Sequence, residues 1–157
     1  MAINLLISFL AVIISITIHE FFHALVADKL GDPTPRAYGR LSLNPMAHID
    51  PIGTILLPLF GAFSGFPVIG WAKPTPIDPY NFKNPRQGEI IVSLAGPFSN
   101  FLLAFLASLF PSQITFIIST VSLYLGIFNL IPIPPLDGSK LLLNLLPVDE
   151  AAKIEST

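Results

Sequence analysis

The chain is 157 residues long, one domain's worth, with 52% apolar residues, only 11% charged residues and a formal net charge of -2 at neutral pH. Soluble domains carry about 25% charged residues, so this chain has too few charges to cover a soluble globule and reads as a membrane protein. The charge balance leaves no basic footprint for nucleic acid, and the absence of cysteine excludes disulfides and thiolate metal sites.

Residues Met1 to Ile18 are apolar, but no basic flank precedes them and no small-residue cleavage site follows, so they read as a retained membrane helix rather than a signal peptide. This first helix is expected over Ile3–Leu30, ending at Gly31 and the Asp32-Pro33 break. At about 1.5 Å per residue, Ile3 to His19 covers roughly 24 Å, most of a hydrocarbon core, so His19 lies deep. From Gly31 to Gly88 the chain is irregular. The 16 prolines and 10 glycines of the whole chain sit among apolar residues, which predicts kinks and re-entrant turns rather than disorder. Ile52–Phe66, broken by Pro58, Gly61 and Gly65, is read as a re-entrant or interfacial segment. Its flanks, Arg40–Leu43 and Val68–Ala72, are expected to pair as short strands. A second span is predicted over Glu89–Phe110, then a tight turn at Pro111-Ser112-Gln113 and a third span over Ile114–Leu130. After the proline-rich Ile131-Pro132-Ile133-Pro134-Pro135, a short helix is expected over Gly138–Leu146. The predicted fold class is an all-α integral membrane protein, one embedded domain over residues 1–157. It has a core of about three transmembrane helices, an irregular re-entrant loop and a short β-hairpin.

Charge placement predicts the topology. Lys29, Arg36, Arg40, Lys73, Lys83 and Arg86 lie between the first two spans, and Lys140 and Lys153 follow the third. The N-terminus and the Pro111–Gln113 turn carry no Lys or Arg. The positive-inside rule then puts the long loop and the C-terminal segment in the cytoplasm, together with the deep end of helix one. Small and polar residues also form stripes: Ser8, Ser15, His19, His23 and Ala27; Gly96, Asn100, Ala104 and Ser108; Ser119, Ser122, Gly126 and Asn129. Membrane helices turn such stripes toward one another, so the three are expected to converge with both histidines inside.

The most specific motif is His19-Glu20-Phe21-Phe22-His23, an H-E-x-x-H. On a helix, residues i and i+4 share a face, so both imidazoles can reach one Zn²⁺ ion, with Glu20 beside the first ligand as a base. Zinc brings the pKa of a bound water toward neutrality, which makes a hydroxide nucleophile accessible at pH 7. The competing reading is a hydrated helix end at the interface, but ionisable groups inside a membrane segment are functional sites by default. A catalytic zinc takes three protein ligands, and without cysteine the third is His, Asp or Glu. The candidates are Asp28, His48, Asp50 and Asp137. Asp28 lies five residues past His23 and points off the ligand face. His48 and Asp50 precede Pro51 in the loop and are assigned to ordering it or backing the site. Asp137 follows the third span and returns to the depth of His19, so it is the best candidate. Its rival role is the N-cap of the helix that follows.

These residues also carry a family resemblance. His19–Ala24, Asn129-Leu130-Ile131-Pro132-Ile133-Pro134-Pro135-Leu136-Asp137-Gly138 and Ala95-Gly96-Pro97-Phe98-Ser99-Asn100 resemble the signatures of the site-2 protease family, in its compact prokaryotic form. Asn44–Gly53 and Gly70-Trp71-Ala72-Lys73-Pro74 are similar to the same branch. The resemblance implies one Zn²⁺ per chain on His19, His23 and Asp137. It implies cleavage of a peptide bond within or beside a transmembrane helix of a protein substrate, in a bacterial or archaeal cell membrane. Asn100 would then contact the reacting carbonyl or the unwound substrate, with helix packing as its alternative. Asn129 would position substrate or fix the proline-rich loop. The stretch between Asn100 and Asn129 is shorter than the resemblance leads one to expect. Two other classes fit the metal motif: a non-catalytic zinc-binding or substrate-sequestering membrane protein, and a metal transporter. A transporter needs several stacked sites, and only one cluster is visible. Substrate identity and oligomeric state are not legible.

Overall fold

The structure, a computed structural model, describes residues 2–57, 60, 71–147 and 150–151. The first helix, α1, is Ala2–Lys29, close to its expected bounds. No proline or glycine interrupts it, and Lys29 in its last turn complements the helix dipole. It ends where Gly31 takes a φ of 107°, with the Asp32 N–H bonded to the Ala27 carbonyl and the Gly31 N–H to that of Asp28. This closing pattern needs a left-handed residue, which glycine supplies without a Cβ penalty. A four-residue helix, α2 (Thr34–Ala37), follows the Asp32-Pro33 break.

Two further long helices complete the scaffold. α3 spans Pro85–Ser108 and α4 spans Gln113–Asn129. α3 starts four residues before the expected Glu89, because Asn84 caps it by accepting the Gln87 N–H and Pro85 pre-sets the first turn. α4 begins at the predicted turn, where Ser112 and Thr115 cap each other reciprocally. A short helix, α5 (Asp137–Leu145), takes the place expected for Gly138–Leu146. Leu6–Lys29 and Pro85–Ser108 are long and apolar enough to cross a membrane, and α4 is a shorter apolar helix.

α1, α3 and α4 pack against one another, and α5 packs on α3. The small and polar stripes do the packing. Ala11, Ser15, His19, His23 and Ala27 are buried on α1, Gly96, Asn100 and Ala104 on α3, and Ser122 and Gly126 on α4. Ser15 and Ser122 share a hydrogen bond of 2.7 Å, and the Ser119 hydroxyl donates to the Ala104 carbonyl at 2.9 Å. A Cβ on Gly126 would stand 2.7 Å from the Phe101 ring, so glycine sets how closely α3 and α4 approach. Ser108 is exposed, and there the α3 stripe leaves the interior. Leu10, Ile14, Phe98, Phe105, Phe116 and Tyr124 cover the outside.

α5 is held at both ends. At its start, a Cβ on Gly138 would lie 2.2 Å from the Leu130 carbonyl oxygen, so only glycine admits this contact with the end of α4. At its far end, Arg86 in the first turn of α3 donates through Nε to the Asn144 carbonyl and through Nη2 to that of Leu146, while Asn144 donates to Glu89 at 2.9 Å.

No strand occurs among the described residues, and the expected hairpin has no counterpart there. Arg40–Leu43 is bent coil, and residues 68–70 of its predicted partner lie outside the described set. Of the expected re-entrant segment, Pro51–Leu56 forms a wide π-helical turn, whereas residues 58–59 and 61–66 also fall outside. The segment Trp71–Ile77 has no regular secondary structure and is stitched to the scaffold by alternate residues. The Trp71 N–H donates to Gly53, the Lys73 N–H to His48 and the Thr75 N–H to Glu20. Asp78 then ties the chain to Asp32, which is fully buried and accepts from the N–H groups of Thr34 and Asp78 and from the Asn81 amide.

Burial alone would push the Asp32 carboxyl up, but these hydrogen bonds outweigh it and hold the group below its ordinary value. Asp32→Asn turns one acceptor into a donor facing the Asp78 N–H, and is expected to lose about 1–3 kcal/mol of stability at neutral pH. Because the folded-state pKa is the lower one, this contribution is complete above the unfolded value of about 3.9. It is lost as pH falls through the folded value. Thermal unfolding of both proteins in detergent from pH 7 downward checks this: the gap between them should narrow only in acid.

Candidate metal centre

His19 and His23 are one helical turn apart on α1, and both are 5% exposed. Their rings stand nearly perpendicular at 80°, with centroids 4.6 Å apart. The two Nε2 atoms are 3.0 Å from each other, and Asp137 Oδ2 is 3.0 Å from the first and 3.1 Å from the second. One ligand atom from each residue therefore lies within 4.8 Å of the others, at a single point between α1 and the start of α5. Asp28, the candidate set aside for its angle, is paired with Arg36 at 2.7 Å on the surface. Asp50 accepts from the Ile52 and Gly53 N–H groups and caps the turn that follows. His48 is fully buried, with Nε2 2.8 Å from the Ser42 carbonyl. Both residues order the loop. Asp137 is the first residue of α5, and no side chain caps that helix. The rival N-cap role therefore has no bond to represent it.

This donor set suits a cation. Two imidazole nitrogens and a carboxylate oxygen converge in a buried space, and only one hydrogen can lie between the two Nε2 atoms. A divalent ion with nitrogen and oxygen ligands relieves that crowding of lone pairs. The walls are shaped for it as well. A Cβ on Gly96 would come 2.3 Å from His23 Nε2 and 2.7 Å from His19 Nε2, so glycine keeps the space free. Burial would raise the Asp137 carboxyl, but the closeness of His19 and His23 together outweighs it and holds the group well below the usual carboxylate range. It is therefore an anion at neutral pH, as a ligand must be.

The remaining residues are arranged around this point. His23 Nδ1 is 2.7 Å from the Val92 carbonyl oxygen of α3, and His19 Nδ1 is 3.0 Å from the Asn100 amide on the same helix. Pro97 has no N–H for the carbonyl four residues before it, which loosens the α3 ladder in this turn. Glu20 Oε2 accepts the Thr75 N–H at 2.9 Å, and the Thr75 hydroxyl returns a bond to the Glu20 carbonyl at 3.2 Å. A cavity of about 680 Å³ opens over the centre. It is lined by the two histidines, Glu20 and Asp137, and further by Trp71, Thr75, Glu89, Asn129 and Lys140 among others. Asn129 thus faces the cavity, its amide bonded back to the Leu125 carbonyl at 2.9 Å. Asn100 does not line it; it is fully buried behind His19. Sequence reasoning did not single out Thr75, Val92, Glu89 or Lys140. Thr75 and Val92 act through backbone groups, which leave no side-chain signal to read.

The chain matches Peptidase family M50 over residues 7–116 and 106–155. It belongs to that family. The site-2 protease resemblance drawn from those segments is therefore borne out. Curated relatives agree. The chain is 39% identical over 163 residues to "Putative zinc metalloprotease YwhC" of Bacillus subtilis, covering 92% of this chain and 71% of that protein. It is 34% identical over 139 residues to "Putative zinc metalloprotease Rip2" of Mycolicibacterium smegmatis, covering 80% of this chain and 52% of that protein. It is 28% identical over 144 residues to "Zinc metalloprotease MJ0392" of Methanocaldococcus jannaschii, covering 85% of this chain and 32% of that protein. No solved structure matches it. M50 membership and two apolar helices of spanning length identify a membrane protein.

Gly96→Ala tests the shape of the centre. The added methyl has no room beside the two Nε2 atoms, whose rings are held from behind. Zinc content of the detergent-purified variant is expected to drop to less than about a tenth of that of the unaltered protein, with helix content by circular dichroism unchanged.

Proposed function

We propose that the protein is an intramembrane zinc metalloendopeptidase that hydrolyses a peptide bond within or next to a transmembrane helix of a membrane-protein substrate. The observation that carries this reading is the convergence of His19, His23 and Asp137 at one buried point, with Glu20 on the wall of the same cavity. The three residues are proposed to hold one Zn²⁺ per chain. When bound, the ion supplies a water of lowered pKa and polarises the scissile carbonyl. Glu20 acts as the base that takes the proton from the attacking water and returns it to the leaving amine. The Thr75 N–H keeps this carboxylate aimed while leaving its second oxygen for the proton. Asn129 is proposed to bind substrate at the cavity wall.

The substrate reading is supported by the Trp71–Ile77 segment. Trp71, Lys73 and Thr75 face the scaffold, whereas Ala72, Pro74 and Pro76 make no hydrogen bond to the described residues. Ala72 and Pro74 line the cavity. A helix must unwind before its carbonyls can be attacked, and an unwound segment needs partners for its freed backbone groups. The carbonyls of Ala72, Pro74 and Pro76, which accept no hydrogen bond among the described residues, are proposed to accept from those N–H groups in the manner of an added strand. The membrane reading adds α4 as a third span, the Pro51–Leu56 turn as the start of a re-entrant segment, and a cytoplasmic orientation of the centre from the distribution of Lys and Arg.

Two variants test the proposal. Asp137→Ala is expected to lose most of the roughly one zinc per chain of the unaltered protein, measured on protein never exposed to chelator. Glu20→Gln is expected to keep its zinc and lose cleavage of single-span helices co-reconstituted in vesicles, read by mass spectrometry. Cleavage that persists in Glu20→Gln refutes the assigned base. Zinc bound without cleavage by the unaltered chain, across a broad set of such helices, favours the sequestering class instead.

A further inference from the structure

Asn100, for which substrate contact and helix packing are the two expected roles, is fully buried and stands behind a metal-ligand candidate. Its amide nitrogen is 3.0 Å from His19 Nδ1, while its Oδ1 is buried with no hydrogen-bond partner among the described residues. The companion ring differs in one respect: His23 Nδ1 faces a carbonyl oxygen, that of Val92, at 2.7 Å. A carbonyl can only accept, so the His23 proton sits on Nδ1 and its Nε2 lone pair is free to face the shared point.

The same condition applies to His19. A neutral imidazole that offers Nε2 to a cation carries its proton on Nδ1, and that proton needs an acceptor. An amide nitrogen cannot provide one; an amide oxygen can. The two ends of the Asn100 amide have the same shape, so a half-turn of the group exchanges them without changing the packing. It brings the unpartnered Oδ1 to His19 Nδ1. We infer that Asn100 is a positioning residue for the metal centre: its side-chain oxygen accepts the His19 Nδ1–H and fixes the ring with Nε2 toward Asp137.

Val92, Gly96 and Asn100 then divide one task along a single face of α3, at steps of four residues. Val92 holds one ring, Gly96 leaves room between the two, and Asn100 holds the other. Asn100 acts through His19 and not on substrate, which agrees with its absence from the cavity wall. The inference rests on the proposal that His19 and His23 hold zinc, and its test separates the two.

The test is zinc affinity of the detergent-purified chain, measured by competition with a chromophoric chelator, with no substrate present. Asn100→Leu, of similar size and without an acceptor, is expected to bind zinc about 10–100-fold more weakly. Asn100→Asp keeps the acceptor and loses the amide N–H, and is expected to bind within about threefold of the unaltered chain or more tightly. An amide whose role is to donate to a substrate carbonyl predicts the opposite pattern: unchanged zinc affinity in Asn100→Leu. That result overturns the inference and leaves the metalloprotease reading intact. Should Asn100→Leu fail to fold, Asn100→Asp decides alone, since a loss of tenfold or more there also overturns it. An unaltered chain that binds no zinc overturns both readings together.

Discussion

Two imidazoles and a carboxylate meet inside a bundle whose outer faces are leucine, isoleucine and phenylalanine, and much of the molecule is organised around that burial. Polar groups removed from water are costly unless each finds a partner. Three groups that all bring lone pairs to one point cannot satisfy one another. The packing of the helices, the choice of glycine at 96 and 138 and the return of the chain through Pro134-Pro135 to Asp137 each serve to form this point. The centre is not an addition to a finished fold; the close helix approach and the buried ligands depend on the same small residues.

Within this arrangement the helices have unequal roles. α1 brings both imidazole nitrogens because their spacing matches its repeat, and α5 brings the carboxylate oxygen. α3 contributes no ligand to the centre, yet its Val92 carbonyl and Asn100 amide stand behind both rings, and its Gly96 sets their clearance. Glu20 lies on the same helix as the histidines but one position round, so it is turned toward a different neighbour, the segment after Trp71. The two imidazoles and the proposed base thus come from five consecutive residues but are oriented by separate parts of the chain.

Much of this was legible in the sequence because it rests on periodicity and caps. His19 and His23 at i and i+4, the break at Gly31-Asp32-Pro33, and the turn at Pro111–Gln113 follow from local rules that the fold respects. The converging stripes were also readable, since small and polar positions recur at helical spacing. Asp137 could be reached by counting span lengths and comparing depths. α3 starts before the expected Glu89 because the Asn84-Pro85 cap lies ahead of the apolar run that marks the span. The expected hairpin was drawn from flanks of an irregular loop; the Arg40 guanidinium instead bonds backbone carbonyls of Ala47 and Lys73, and no ladder forms at Arg40–Leu43. The groups that hold His23 and Glu20 were beyond reach for a simpler reason. A backbone carbonyl or N–H has the same sequence signature at every position.

The grip of Arg86 on the end of α5 has a mechanical consequence. Asp137 opens that helix, and the guanidinium holds the carbonyls of Asn144 and Leu146 at its other end. A nine-residue helix is stiff over its length of about 13 Å, so it behaves as a lever with the carboxylate on one arm and the chain beyond Leu146 on the other. Traction on that following chain would be resisted at Arg86 and at the Asn144–Glu89 bond beside it. Once that grip yields, the displacement passes along the helix to the carboxylate at its other end. The position of the carboxylate beside the two imidazoles is thereby tied to an exposed arginine at the opposite end of the helix.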